Sequence, residues 1–455
     1  MKKYDNQYDK MTQASVPGLI CILGAPTTLS MLVTNLYNMA DTYFVGKLGT
    51  SASGATGIVF GLMAIIQANG FMFGHGSGSI ISRKLGAKDK QSASEYATMG
   101  CAMSLAMGLL IALVGLLFTN PLMYLLGSTD TILPYARVYC RCILIAAPAM
   151  TVSCVLNNIL RYEGKAFFAM MGLVSGGLIN IVLDALFIMG MGMGIEGAGV
   201  ATALSQYISL AILSYMFISH KCESVISTRF FKRDVRKAVT IVQTGFPSLI
   251  RQGLGSISVM VLNNFCGPFG DAAIAAMSIA SRVTNFMFSV GLGIGQGYQP
   301  VAGFNYGAGR FSRVRKGFFF TWAFSTGLMT IGSIIAFINA PQIVAVFRDD
   351  ASVIAIGSVA LRWQCAGLLF VPFTVCSNMM FQSTGKSREA SILATFRSGL
   401  MFIPVIAILA NTIGLFGIEI SQPIADVAAS IACIYFVVKF FRELPEDQQT
   451  ETVSG

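Results

Sequence analysis

Charge is scarce in this sequence. Only 11% of the 455 residues are charged, whereas a soluble chain carries about 25%. Histidine is scarcer still. His75 and His220 are the only two, and their separation excludes a histidine-built metal site. The ten cysteines include no CxxC pair, which argues for free thiols in apolar surroundings. There is no HExxH, no P-loop and no nucleophile beside a candidate base, so nothing indicates a membrane enzyme or a nucleotide-driven pump. The opening residues MKKYDNQYDK show no signal-peptide pattern, and the first apolar segment is expected to act as its own insertion signal.

Apolar residues are what the chain has instead, at 54%. They fall into runs long enough to cross a bilayer. Twelve spans are predicted, at roughly 17–45, 53–80, 93–119, 134–160, 167–189, 197–219, 239–266, 272–303, 317–340, 353–382, 390–413 and 418–441. The fold class is therefore an all-α polytopic membrane protein. The net charge of +10 is not spread as a nucleic-acid binder would spread it. Lys and Arg crowd alternate loops: Arg83 to Lys90, Arg161 and Lys165, Lys221 to Lys237, Arg310 to Lys316, Lys386 and Arg388. The opposite loops hold only Lys47 and Arg348. The positive-inside rule then places both termini in the cytoplasm and supports an even number of spans.

The sequence also repeats. A shift of 221 residues lays Pro26 on Pro247, Gly46 on Gly267, Gly74 and Gly76 on Gly295 and Gly297, Arg141 on Arg362, Asn157 on Asn378, and Gly164-Lys165 on Gly385-Lys386. Each repeat holds six spans, so both enter the membrane in the same sense. Two six-helix lobes related by a pseudo-two-fold along the membrane normal are expected. The boundaries are 1–219 for the first lobe, 220–238 for a basic linker, 239–441 for the second lobe and 442–455 for a cytoplasmic tail. Phe230 and Phe231 among the linker cations suggest a helix lying on the inner surface, with a plain solvated loop as the alternative.

Ionisable groups inside a membrane are costly and point to function. Asp41 lies six residues before Lys47, about 9 Å deep at a rise of about 1.5 Å per residue. Asp184 sits at similar depth in the fifth span. Tyr37 is one turn from Asp41, and Asn180 is one turn from Asp184. Tyr139 and Thr202 lie about five residues into the fourth and sixth spans. These six side chains from four spans form one polar layer. Carboxylates, an amide and hydroxyls are hard oxygen ligands that suit Na⁺ or a shared proton. The alternative is a hydrogen-bonded polar core that only fixes helix register. Neither acid is repeated: Asp41 falls on Leu262 and Asp184 on Val405.

The second half instead carries Arg251, Arg282 and Arg362, with Asp426 expected to neutralise one of them. Asn157 and Gln206 are candidates for the substrate cavity, or else for helix-to-helix hydrogen bonds.

Several motifs together resemble the multidrug and toxic compound extrusion (MATE) transporters, nearest in kind to the bacterial DinF-like branch with its Gram-positive multidrug efflux pumps. They are DTYFVGKLG, SRKLGAKD, NNILRYEGK, NIVLDALFI, GIEGAGVATALSQ and GIGQGYQPVAGFNYGAG. The resemblance spans nearly the whole chain. It implies alternating access and export of organic cations in exchange for H⁺ or Na⁺, with no other cofactor. It implies a cation site at Asp41, Asp184, Asn180 and Thr202, with Tyr37 and Tyr139 in support. NorM-like members carry further acids on the seventh and tenth helices, which GFPSLIRQGLGS and CSNMMFQSTGK lack. A bacterial inner-membrane location and a working monomer are expected. The alternative within transport is a lipid-linked or polysaccharide flippase of the same superfamily. A sensor or channel is the alternative outside it.

Overall fold

The computed structural model describes residues 6–219 and 221–447, which are helical without a strand. His220 and the end of the tail, 448–455, lie outside the described residues. Twelve helical segments match the predicted spans. They are α1 (Val16–Gly46), α2 (Thr50–Gly86), α3 (Lys90–Leu117), α4 (Leu133–Tyr162), α5 (Ala166–Gly190), α6 (Gly194–Ile218) and α7 (Val235–Cys266), followed by α8 (Asp271–Gly307), α9 (Phe311–Ile338), α10 (Ala351–Gly367 with Val371–Ser383), α11 (Ser387–Ile413) and α12 (Leu415–Glu443). Ten are single helices long and apolar enough to cross a membrane, and α10 is an eleventh span bent by 49° at its break. The remaining helix, α7, has the length but carries Gln243, Thr244, Ser248, Arg251 and Gln252 through its middle.

Hydroxyls in these helices turn back on their own backbone. Thr27, Ser77, Thr284 and Thr321 each donate to the carbonyl four residues earlier. Where no water is available, that is how a hydroxyl avoids the cost of burial without a partner.

The helices group into two compact units. The first is residues 29–249. The second is the described residues up to Thr28 together with those from Ile250. These limits differ from the lobes drawn on the sequence, because α1 and α7 each contribute to both units. Each divides two residues after a proline, at Pro26 and Pro247. A proline inside a helix removes one backbone hydrogen bond and bends the axis.

Glycine seats hold the early parts of α1 and α7 in place. In the first unit, a Cβ on Gly76 would lie 2.2 Å from the Ile241 carbonyl oxygen, and one on Gly245 would lie 1.8 Å from that of Met72. In the second unit, a Cβ on Gly297 would lie 2.5 Å from the Gly24 Cα. Both crossings are backbone against backbone, the approach that only small residues permit. They are also the same crossing, since Gly24 and Gly76 fall on Gly245 and Gly297 in the repeat. Other contacts repeat as well. Asn157 donates to the Ala169 carbonyl at 2.8 Å, and Asn378 to that of Ala390 at 2.7 Å.

The linker corrects the expectation of a surface helix. Among the described residues between α6 and α7 the one helical element is the 3₁₀ turn Thr228–Phe230. The segment is not a free loop either, because it is strapped to the ends of α3 and α4. Glu163 accepts the backbone N–H groups of Glu223 and Ser224 at 2.8 and 2.9 Å, and also the Ser224 hydroxyl. Val225 donates to Ser94 at 3.0 Å, while Lys232 and Lys237 both pair with Glu95. Phe231 is left exposed.

Candidate functional site

Four helices of the first unit carry the polar layer: α1 brings Tyr37 and Asp41, α4 Tyr139, α5 Asn180 and Asp184, and α6 Thr202. Five of these six side chains line one small cavity of about 30 Å³. Asp184 does not line it, but interacts electrostatically with Asp41 and with Tyr139. Asn180 donates to the Thr202 hydroxyl at 3.5 Å. Glycines shape the space locally. A Cβ on Gly177 would lie 2.9 Å from the Tyr37 ring, so this glycine lets α1 and α5 close around the tyrosine.

Asp184 is the last residue of regular α-helix in α5, and a π-helical turn, Ala185–Gly190, follows it at once. Such turns are rare and concentrate at functional sites. Asp184 is fully inaccessible, yet among the described residues neither of its carboxylate oxygens has a hydrogen-bond partner, and one oxygen of Asp41 is in the same position. No group of three or more His, Cys, Asp or Glu that could hold a metal occurs among the described residues. Any cation here would rely on the two acids and on neutral oxygens.

Sequence reasoning missed several cavity residues. Asn38, Met63, Ser205 and Ser209 also line it. Ser205 and Ser209 stand three and seven residues after Thr202 on α6, a helical spacing that could have found them. Gln206, proposed for a substrate cavity, lines this one. Asn157 does not, being committed to the Ala169 carbonyl. His75 is buried with its ring 3.0 Å from the Tyr162 hydroxyl, a contact within the helix packing.

The charge network expected in the second half is corrected. Asp426 pairs with Arg397 at 2.8 Å, and Gln422 donates to the same carboxylate at 2.9 Å. Arg397 also lies 4.5 Å above the Phe288 ring. Arg251 donates to Asn378 at 3.0 Å, and Arg362 to the Phe337 carbonyl at 3.2 Å. Among the described residues, none of Arg251, Arg282 and Arg362 pairs with Asp426. Arg397 sits in a second π-helical turn, Phe396–Leu400, so each unit has such a turn beside its buried charge.

Fold and site define a polytopic helical membrane protein with a carboxylate centre inside its first unit. Comparison makes the class specific. The chain belongs to the MatE family, whose model matches it twice, at residues 26–186 and 247–408. The two matches begin at Pro26 and Pro247. Among curated proteins it is similar to the multidrug export protein MepA of Staphylococcus saprophyticus, at 26% identity over 99% of this chain and 100% of that protein. Among solved structures it is similar to a multidrug resistance MATE family transporter in an outward-facing conformation, with a TM-score of 0.92, 27% identity, and 97% and 99% of the two chains covered. It is also similar to a MOP superfamily transporter of Pyrococcus furiosus, described as having a binding pocket of reverse polarity that suggests a different function. That match has a TM-score of 0.91 at 27% identity, over 98% and 99% of the two chains.

Proposed function

We propose that this protein is a multidrug efflux antiporter that exports organic cations in exchange for H⁺ or Na⁺ by alternating access. It works as a monomer in a bacterial inner membrane with both termini in the cytoplasm. The cation site is Asp41, Asp184, Asn180 and Thr202, supported by Tyr37 and Tyr139. The observation that carries this reading is the unpartnered carboxylate of Asp184. A buried carboxylate without a hydrogen bond or an ion pair is strongly unfavourable, and a proton or a small cation relieves it. The cavity beside it has room for about one water-sized particle. An alkali ion fits there against Asp41, Asn180 and Thr202, with Asp184 acting on it through Asp41. Two carboxylates, an amide oxygen and a hydroxyl suit a hard cation.

Loading this site from outside reorganises α1 near Pro26 and lowers affinity for bound drug, which leaves outward. Emptying inward resets the pump. A ligand shifts such an equilibrium only through its different affinity for the two states. An unpartnered acid that is satisfied in one state and left bare in the other supplies that difference. The similar MepA proteins are multidrug export proteins, which supports outward transport of drugs.

The test is uptake of ethidium into proteoliposomes under an imposed pH or Na⁺ gradient. Wild-type protein should respond to one of the two, and Asp41→Asn and Asp184→Asn should abolish the response. Full activity in both variants would remove the site assignment. The flippase alternative needs free cationic groups for an anionic cargo; of the three arginines that suggest it, Arg251 and Arg362 are already engaged, which leaves Arg282. Lipid translocation without gradient-driven ethidium uptake would favour it.

A further inference from the structure

A second, larger hollow lies wholly within the second unit, far along the chain from the carboxylate layer. It has a volume of about 710 Å³ and runs between α9 and α12 against the break in α10. Its walls are aromatic and aliphatic. Phe319 and Phe441 stack with their rings 5.7 Å apart, and Trp322 meets Phe373 edge-on at 5.2 Å. The Ser430 hydroxyl in its floor is turned away to the Phe370 carbonyl at 2.7 Å.

Charge appears only in Arg315, in the first turns of α9, and Arg442, in the last turn of α12. Both belong to helix ends on the basic side of the protein. Arg310 and Arg313 on the same turns are committed, to the Thr12 carbonyl and to Asn305 and the Ala14 carbonyl. Arg315 and Arg442 have neither an ion pair nor a hydrogen bond among the described residues. The Arg315 guanidinium instead lies 5.7 Å over the Phe441 ring. Asp447, nearby in sequence to Arg442, is taken up by the Ser312 backbone N–H and hydroxyl.

We propose that this groove holds an anionic phospholipid of the cytoplasmic leaflet. Its phosphate lies between Arg315 and Arg442, and an acyl chain lies along Phe319, Trp322 and Phe373. Three features select this occupant. Two uncommitted guanidiniums at one mouth call for an anion and repel an organic cation. Apart from the hydroxyls of Thr326 and Ser430, the remainder of the groove offers contact to a hydrocarbon. The length also fits: from Arg315 to Thr326 is about 16 Å of helix at about 1.5 Å per residue, close to the half-thickness of a bilayer core about 30 Å thick. The cytoplasmic leaflet is where anionic lipids and basic side chains meet.

The experiment is native mass spectrometry of the full chain, purified in detergent and titrated with phosphatidylglycerol or phosphatidylcholine. The wild type should retain one phosphatidylglycerol in preference to phosphatidylcholine. Arg315→Gln and Arg442→Gln should each weaken retention about 5-fold, from about 1 kcal/mol per basic side chain near a lipid surface. Ile434→Trp, which fills the groove and keeps both charges, should abolish it and so serves if the arginine variants fold poorly. Equal retention of both lipids, or retention unchanged in all three variants, would overturn the proposal. Competition by inorganic phosphate as effective as by the lipid would do the same, as would a dimer mass lost in Ile434→Trp. Lipid retention does not depend on transport, so the outcome is separate from that of the ethidium assay.

Discussion

Two buried acids, Asp184 and Asp426, are held in opposite ways. Asp426 has an arginine, a glutamine and an aromatic ring arranged around the pair. Asp184 has neither oxygen bonded. Replacing Asp184 with Asn should therefore stabilise the protein while stopping transport, because it removes a charge with no partner and keeps the shape. A gain of about 1–3 kcal/mol is expected, read as a higher thermal midpoint in detergent. Arg397→Ala should do the reverse. It strands Asp426 in the interior at a cost of about 3–5 kcal/mol, whereas Arg397→Met combined with Asp426→Leu should recover most of the loss. Substituting Arg282 should leave the midpoint unchanged. The sequence could place Asp426 by depth but not name its partner. Depth follows from counting residues along one helix, while pairing depends on helix rotation and on the neighbour, which the count does not contain. Arg397 also sits in a π-helical turn, which changes the facing of its side chain in a way no regular periodicity anticipates.

Among helices, the twelve spans were legible because run length and the bilayer set the same limit. Their close crossings were visible only in part. The glycines of the repeat stood out as small residues in register, but a glycine pattern does not tell which helix it meets. Gly76 and Gly245 turn out to seat backbone on backbone. Gly245→Ala should therefore cost about 1–3 kcal/mol or more, since the added carbon has no flexible side chain to displace. Gly253→Ala on the same helix is the control. Its Cβ meets nothing within 4 Å, and the change should be neutral or stabilising by up to about 1 kcal/mol. Thermal unfolding of both variants checks the contrast. The π-helical turns after Asp184 and at Arg397 had no signal in the sequence, because each lies inside a run whose length reads as one continuous helix.

For the molecule as a whole, the 221-residue repeat was the most informative feature of the sequence, and the family model matches at the same two positions. The linker's path was not legible, because Ser94, Glu95 and Glu163, the residues that bind it, lie far from it in sequence. Glu163 lies at the turn after α4, outside the spans, and burial raises its pKa above the ordinary range despite the donors around it. The folded chain thus holds this proton more tightly than the unfolded chain does. The stability that Glu163 contributes is present at low pH and lost as pH rises through its raised value. Glu163→Gln should remove that part of the slope in a plot of thermal midpoint against pH. In Glu163→Ala the amides of Glu223 and Ser224 should exchange hydrogen faster than in the wild type.

The division of α1 and α7 after their prolines has a consequence for the origin of the chain. Each repeat gives up the first part of its first helix, to Thr28 or to Leu249, and that part is counted with the helices of the other repeat. Two identical six-helix proteins exchanging such arms would form a domain-swapped dimer, a low-cost route to association. A single repeat expressed alone, residues 1–219, would carry an arm with no seat and an empty seat on α2. It should therefore be recovered as a dimer or not fold. Joining two such repeats in one chain gives each arm a seat.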